Sequence, residues 1–254
     1  MNQDLQTNHP PEGQKNLRRE RSIRMTAFAL CALFVLSTML KSILVRDAED
    51  ILICMATLLL LRLPHFLERK LHCRISIGVY VFSLLYIICP VLGNVFQFYY
   101  ILPWWDKFMH GTGGVVLAML GLYLPYLLNP KGENSLLLCA LFGLFFSISM
   151  SVLWEFYEYA VDSFVGNDMQ KDAYVYQINS YLLSDEIGKM RHIQDIGSVT
   201  LNGEALRGYV DIGLHDTMLD LLLECGCALL YVLYYVLKKG RNPAFRPLPQ
   251  GRAR

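Results

Sequence analysis

Apolar runs recur along this 254-residue chain at close to the length of a bilayer crossing. A helix needs about 20 mostly apolar residues to span the hydrocarbon. Within lipid the backbone must satisfy its own hydrogen bonds, so runs of this length are read as helices. Composition agrees: 54% of residues are hydrophobic and 18% charged, against about 25% charged in a soluble domain. The expected fold is all-α, a polytopic membrane helix bundle of about six transmembrane helices. Such a chain is a multi-pass protein of the cell membrane whose first partner is the lipid bilayer. A net charge of +1 gives no electrostatic reason to expect nucleic acid.

Six spans are predicted, at Met25–Val45, Ala48–Phe66, Ile75–Phe98, Trp105–Leu128, Ser135–Val161 and His215–Leu237. The second is the weakest, because its apolar core Ile51–Leu63 is short, contains Arg62 and meets Pro64. Residues 1–23 are expected to be a disordered basic cytoplasmic tail and 238–254 a second basic tail. The bundle occupies 24–237, including a long polar outer loop over 163–214. The first span is of full crossing length and lacks an A-x-A cleavage site, so it reads as a retained helix rather than a signal peptide. No internal repeat is evident, which gives no support to an inverted-repeat transporter.

Seven cysteines are present. The number is odd and none lies in the polar loop, so they read as small hydrophobes rather than a disulfide framework. Cys225 and Cys227 are two apart on a helix and point in different directions.

The Lys/Arg distribution sets an expected orientation. Basic residues cluster before the first span (Lys15, Arg18, Arg19, Arg21, Arg24), between the second and third (Arg69, Lys70, Arg74) and after the sixth (Lys238, Lys239, Arg241, Arg246, Arg252, Arg254). Six spans with both termini cytoplasmic put all of these inside. The 163–214 loop, with four basic and seven acidic residues, then lies outside.

Three residue pairs follow from this count. Asp106 and His110 open the fourth span, Glu155 and Glu158 lie near the end of the fifth, and Asp216 and Asp220 open the sixth. All three ends fall on one membrane face. Spacings of i,i+4 or i,i+3 put each pair on one helix face. At about 1.5 Å rise per residue two layers are expected. Asp106, Glu158 and Asp216 lie near the surface, and His110, Glu155 and Asp220 about one turn deeper. Asp162 is placed with the outer layer and Glu224 a further turn below Asp220. Small residues continue the same stripes, at Ser151, Ser147 and Gly143, at Gly111, Gly113 and Gly114, and at Ala228. Small faces let membrane helices approach closely.

Carboxylates gathered at close range cannot all stay ionised unless a cation offsets them. Oxygen-rich donors with a histidine suit Mg²⁺, Mn²⁺, Fe²⁺ or Zn²⁺. The candidate metal ligands are Asp106, His110, Glu155, Asp216 and Asp220, and the candidate catalytic carboxylates are Glu155 and Glu158. Arg207 or Lys107 is the alternative countercharge. Taken singly, Asp106 and Asp216 also suit a helix first turn, where the dipole favours acids.

The stretches WWDKFMHGTGG from Trp104, WEFYEYAVD from Trp154 and GYVDIGLHDTMLD from Gly208 resemble the YjdF-like bacterial membrane proteins, a family of unknown function. That family carries Asp-Lys-x-x-His, Trp/Tyr-Glu-x-x-Glu and Asp-Thr-x-x-Asp in this order. The same order is more distantly similar to VanZ-like proteins linked to glycopeptide-antibiotic tolerance. By position, Asp106, His110, Glu155, Glu158, Asp216 and Asp220 match the shared motif. Both families often have Asn where this chain has Glu224.

Three functions stay open at this point. One is a metal-assisted enzyme acting on an envelope lipid or precursor at the outer face. The second is a non-catalytic protein whose polar network locks the bundle. The third is a transporter, which requires polar residues continuing across the membrane. No P-loop, Gly-x-Ser-x-Gly, His-Glu-x-x-His or dinucleotide fingerprint occurs in the sequence, so nucleotide use and serine hydrolysis have no support.

Overall fold

A computed structural model describes residues 12–129, 134–241 and 245–247. Six helical segments are long and apolar enough to cross a membrane: Asn16–Val45, Ala48–Lys70, Ile77–Asn94, Trp105–Leu128, Leu136–Val165 and Leu214–Leu237. The chain divides into two compact units, one of Met1–Met109 with Gly240–Arg254, the other His110–Lys239.

The first unit holds three spans. Helix α1 (Glu12–Val45) packs on α2 (Ala48–Leu60) and α4 (Ile77–Asn94), and α2 packs on α4. Helix α1 starts well before the predicted Met25. The polar stretch from Glu12 is therefore helical rather than a disordered tail, and residues 1–11 lie outside the described residues. Two ion pairs account for the extension: Glu20 reaches Arg74 at 2.8 Å and Arg24 reaches Glu68 at 2.8 Å.

The second span passes Pro64 and runs four residues beyond the predicted Phe66, to Lys70. It breaks at Leu61–Arg62 and resumes as α3 (Leu63–Lys70) with the proline in its first turn. Proline has no amide to offer the preceding turn but suits a helix start. Strand β1 (Cys73–Ile75) follows. The third span is shorter than predicted, since α4 ends at Asn94 and a separate turn, α5 (Phe98–Ile101), follows Gln97 in the left-handed region. The C-terminal tail is not wholly irregular. Its strand β8 (Phe245–Pro247) pairs antiparallel with β1. The rest of the expected tail, 242–244 and 248–254, lies outside the described residues.

The second unit holds the other three spans. Helix α6 (Trp105–Gly121) begins in the last residues of the first unit and continues through the second. It breaks at Leu122–Tyr123 and resumes as α7 (Leu124–Leu128), again with a proline, Pro125, in the new first turn. Helix α8 (Leu136–Val165) is capped by Ser135, whose Oγ accepts the Leu138 amide at 3.1 Å. Helix α9 (Leu214–Leu237) runs along α8. Between α8 and α9 the loop forms three short antiparallel ladders. Strand β2 (Ala173–Val175) pairs with β7 (Tyr209–Asp211), β3 (Ile178–Ser180) with β4 (Arg191–Ile193), and β5 (Val199–Leu201) with β6 (Glu204–Leu206). The all-α expectation therefore describes the spans, and the strands are additions outside them.

Burial is inverted relative to a soluble protein. Leu33, Leu59, Leu137 and Leu230 stand exposed, while His110, Ser147, Ser151, Glu155, Glu158, Asp220 and Glu224 are buried. Lipid solvates the apolar exterior, and the polar groups turn inward to meet one another. Below them Ala118, Ala140, Ala228 and Val232 form an apolar cluster.

In the first unit, Glu68 Oε1 accepts both from Arg24 and from the Ile75 amide at 2.8 Å. Arg24 also donates to the Ile75 carbonyl and lies over the Tyr80 ring at 4.5 Å. Losing Glu68 strands a mostly buried guanidinium, which costs about 3–5 kcal/mol in buried pairs. Glu68→Ala is expected to lower the thermal midpoint of the detergent-solubilised protein clearly. Glu20→Ala, breaking the more exposed pair with Arg74, is expected to cost under about 1 kcal/mol. Equal effects in a thermal melt would sink this account.

Candidate polar site of the second unit

His110 lies in the second turn of α6 with 5% of its surface exposed. Its two ring nitrogens face different acids. Nε2 stands 3.9 Å from Glu158 Oε1 and 3.8 Å from Asp220 Oδ2. Nδ1 stands 3.3 Å from Glu224 Oε1 and 3.8 Å from Glu155 Oε1. The imidazole thus joins acids from α8 and α9, and the convergence of helix ends expected from the sequence is realised.

Small residues produce this approach. A Cβ on Gly114 would lie 2.5 Å from the Glu224 carbonyl oxygen, and one on Gly143 would lie 2.7 Å from Leu122 Cγ. Ser147 Oγ donates to the Gly114 carbonyl at 2.9 Å, and Ser151 Oγ to the Ser147 carbonyl at 3.0 Å. The small stripe below Glu155 is therefore the seam on which α6 lies against α8.

The expected two layers meet at one ring. Glu158, assigned to the surface layer, is buried and shares Nε2 with the deeper Asp220. Glu224, set a turn below the site by counting, makes the shortest approach to the imidazole. Both shifts arise because an imidazole has two polar edges about 2 Å apart, so one ring serves both layers. The signal that favoured Glu224 was its i,i+4 spacing from Asp220.

Other candidates take different partners. Asp162 accepts the Met169 and Gln170 amides at 2.6 and 2.7 Å, tying down the turn after α8. Asp216 Oδ2 accepts the Lys171 amide at 3.2 Å. Asp106 is buried in the first turn of α6, one turn before His110, with Lys107 Nζ at 3.5 Å. Arg207 lies over the Tyr174 ring, 4.9 Å from its centroid. Asp211 caps α9 by accepting the His215 amide at 2.6 Å, a role the sequence reading missed. In the turn after α8, burial and then the neighbouring Asp172 hold the Asp168 carboxyl above its ordinary range.

One atom each of His110, Glu155 and Glu158 lie within 4.8 Å of one another. Ligands at about 2.1 Å from a common ion stand roughly 3.0–3.5 Å apart side by side and about 4.2 Å apart across it. The 3.8 and 3.9 Å separations are too long for hydrogen bonds and fall between those two values. Glu158 Oε1 accepts the Trp154 Nε1–H at 2.7 Å. Both Glu155 oxygens and Glu224 Oε2 are buried with no hydrogen bond among the described residues. Thr217, which accepts from Gln170 Nε2 at 2.6 Å, bears on the Glu155 carboxylate. Four carboxylates around one imidazole make an oxygen-rich donor set with a histidine, which fits a divalent cation.

The Gly114 contact gives a direct test. Gly114→Ala forces a methyl against backbone and is expected to destabilise by about 1–3 kcal/mol. Gly226, within α9, has nothing within 4 Å of an added Cβ. Gly226→Ala is therefore expected to be neutral or to gain up to about 1 kcal/mol in helix propensity. Thermal melts of the two variants check the contrast, and a harmless Gly114→Ala would contradict the seam.

Residues 25–241 match a family described as Predicted membrane protein (DUF2238), which is the YjdF family. No curated protein and no solved structure matches the chain.

Proposed function

This chain belongs to the YjdF-like family of predicted membrane proteins, and from that premise we propose that it is a metal-dependent enzyme acting on an envelope lipid or precursor. The observation that carries the reading is the buried convergence of His110, Glu155 and Glu158 within 4.8 Å. Asp220 adds a further carboxylate, 3.8 Å from His110 Nε2. A divalent cation (Mg²⁺, Mn²⁺, Fe²⁺ or Zn²⁺) would supply Lewis acidity to an oxygen of the substrate.

The protein's own groups have separable roles. His110, Glu158 and Asp220 hold the cation, and Trp154 orients Glu158 through its indole N–H. Glu155, buried beside the imidazole, is the carboxylate assigned to take a proton from the attacking group. Asp216, matched to the family motif, stands in the first turn of α9, where it would line the approach. The ladders over 173–211 would cover the site from the aqueous side. A site at helix ends suits a substrate with an apolar anchor and a polar head. With both termini cytoplasmic, as the basic segments favour, that head lies on the outer face of the cell membrane.

A second reading has a specific observation in its favour. The Gly114–Glu224 backbone contact and the acids around His110 are also what a network that only locks helices would need. Transport is disfavoured by the apolar cluster of Ala118, Ala140, Ala228 and Val232, which closes the polar stripe below Glu224.

Elemental analysis of the purified protein separates the first two readings. One or two equivalents of a transition metal are expected, lost in a Glu155→Ala/Asp220→Ala variant that still folds. Absence of metal from the wild type, also after incubation with Mn²⁺ or Zn²⁺, would shift the assignment to the helix-locking network.

A further inference from the structure

The first unit carries a basic surface that the polar site of the second unit does not use. Across residues 16–25 and 62–76, eight Lys and Arg stand against two acids, Glu20 and Glu68. Both acids are already taken, Glu20 by Arg74 and Glu68 by Arg24, each at 2.8 Å. The same two ion pairs hold the start of α1 to α3 and β1, and the β1–β8 ladder sets Arg246 opposite Arg74. Basic segments far apart in the sequence therefore meet at one end of this unit. Arg18, Arg19, Arg21, Arg69 and Lys70 are exposed and pair with no acid among the described residues.

We propose that this basic end of the first unit is a binding surface for anionic phospholipid head groups of the cytoplasmic leaflet.

Depth argues for lipid over a soluble partner. The apolar stretch Met25–Val45, at about 1.5 Å per residue, already covers roughly 30 Å of hydrocarbon. Helix α1 continues without a break back to Glu12. Arg21 and Arg18 thus stand about 6–11 Å beyond Met25 along the axis, at the level of the head groups. Lipid phosphates there lie about one Debye length away, roughly 8 Å at physiological salt.

The side chains between the arginines support the same occupant. Leu17, Ile23 and Met25 are exposed on this stretch of α1. On α3, Phe66 is exposed as well, with Lys70 Nζ 5.9 Å from its ring centroid. Apolar and basic side chains interleaved on one helix suit the boundary between acyl chains and head groups. A polynucleotide or an acidic peptide would meet the charges and leave the apolar side chains in water. Each basic residue near an anionic surface strengthens attraction roughly fivefold, so a group of five selects anionic from zwitterionic lipid.

The test reconstitutes the full chain in phosphatidylcholine vesicles containing a trace of spin-labelled phosphatidylglycerol or spin-labelled phosphatidylcholine. The motionally restricted fraction of each label gives its relative affinity for the protein surface. The wild type is expected to prefer phosphatidylglycerol roughly fivefold. The preference is expected to collapse in 1 M NaCl, where the Debye length is about 3 Å. Arg18→Gln/Arg19→Gln/Arg21→Gln and Arg69→Gln/Lys70→Gln are each expected to lower it at least about twofold. Lys189→Gln/Arg191→Gln, which removes two exposed charges from the loop of the second unit, is expected to leave it unchanged. Equal affinity of the wild type for the two lipids overturns the proposal, and this outcome needs no variant to fold. So does a preference that survives 1 M NaCl, or one that both basic-end variants retain. A loop variant that lowers it as far as the basic-end variants assigns the effect to net charge and overturns the surface.

Discussion

The contact between His110 and the acids of α8 and α9 is the interaction on which the second unit depends. A charged or strongly polar side chain in hydrocarbon must find a partner, because lipid offers none. Here one imidazole answers four carboxylates. That demand brings three helix ends together, and the glycines and serines beneath them are what permit the approach. The apolar exterior follows from the same rule, since the large aliphatic side chains have lipid to face and no interior to fill.

The first unit solves the same problem with different chemistry. Arg24 is surrounded by Glu68, the Ile75 carbonyl and the face of Tyr80. That set balances one charge with one charge. The site around His110 gathers acids of two helices about one imidazole, and this difference separates a structural ion pair from a candidate reactive centre.

Much of this was legible in the chain. Runs such as Leu136–Val161 and Leu214–Leu237 fix spans through length and apolarity alone. The i,i+3 and i,i+4 pairs fix which residues share a face, so the convergence of His110, Glu155, Glu158 and Asp220 could be counted out. What counting missed lay in direction rather than position. It treated depth along the axis as the coordinate that matters, whereas a side chain reaches about a turn up or down, and this joins Glu158 and Glu224 to one ring. The breaks ahead of Pro64 and Pro125 were not legible either, because apolarity continues through them while the helix stops and restarts. The helical Glu12–Arg24 segment was invisible to hydropathy because ion pairs with the 68–74 region hold it. The ladders of the 173–211 segment consist of three-residue strands with no alternating pattern long enough to read.

Trp154 ties the site to a measurable signal. Its ring is about half exposed on the lipid side of α8, while its N–H is committed to Glu158 inside. Indole emission depends on both the polarity around the ring and the charge near its nitrogen. The residue is therefore a native fluorophore wired to the site, and events at the Glu158 carboxylate carry an optical signature without any added label.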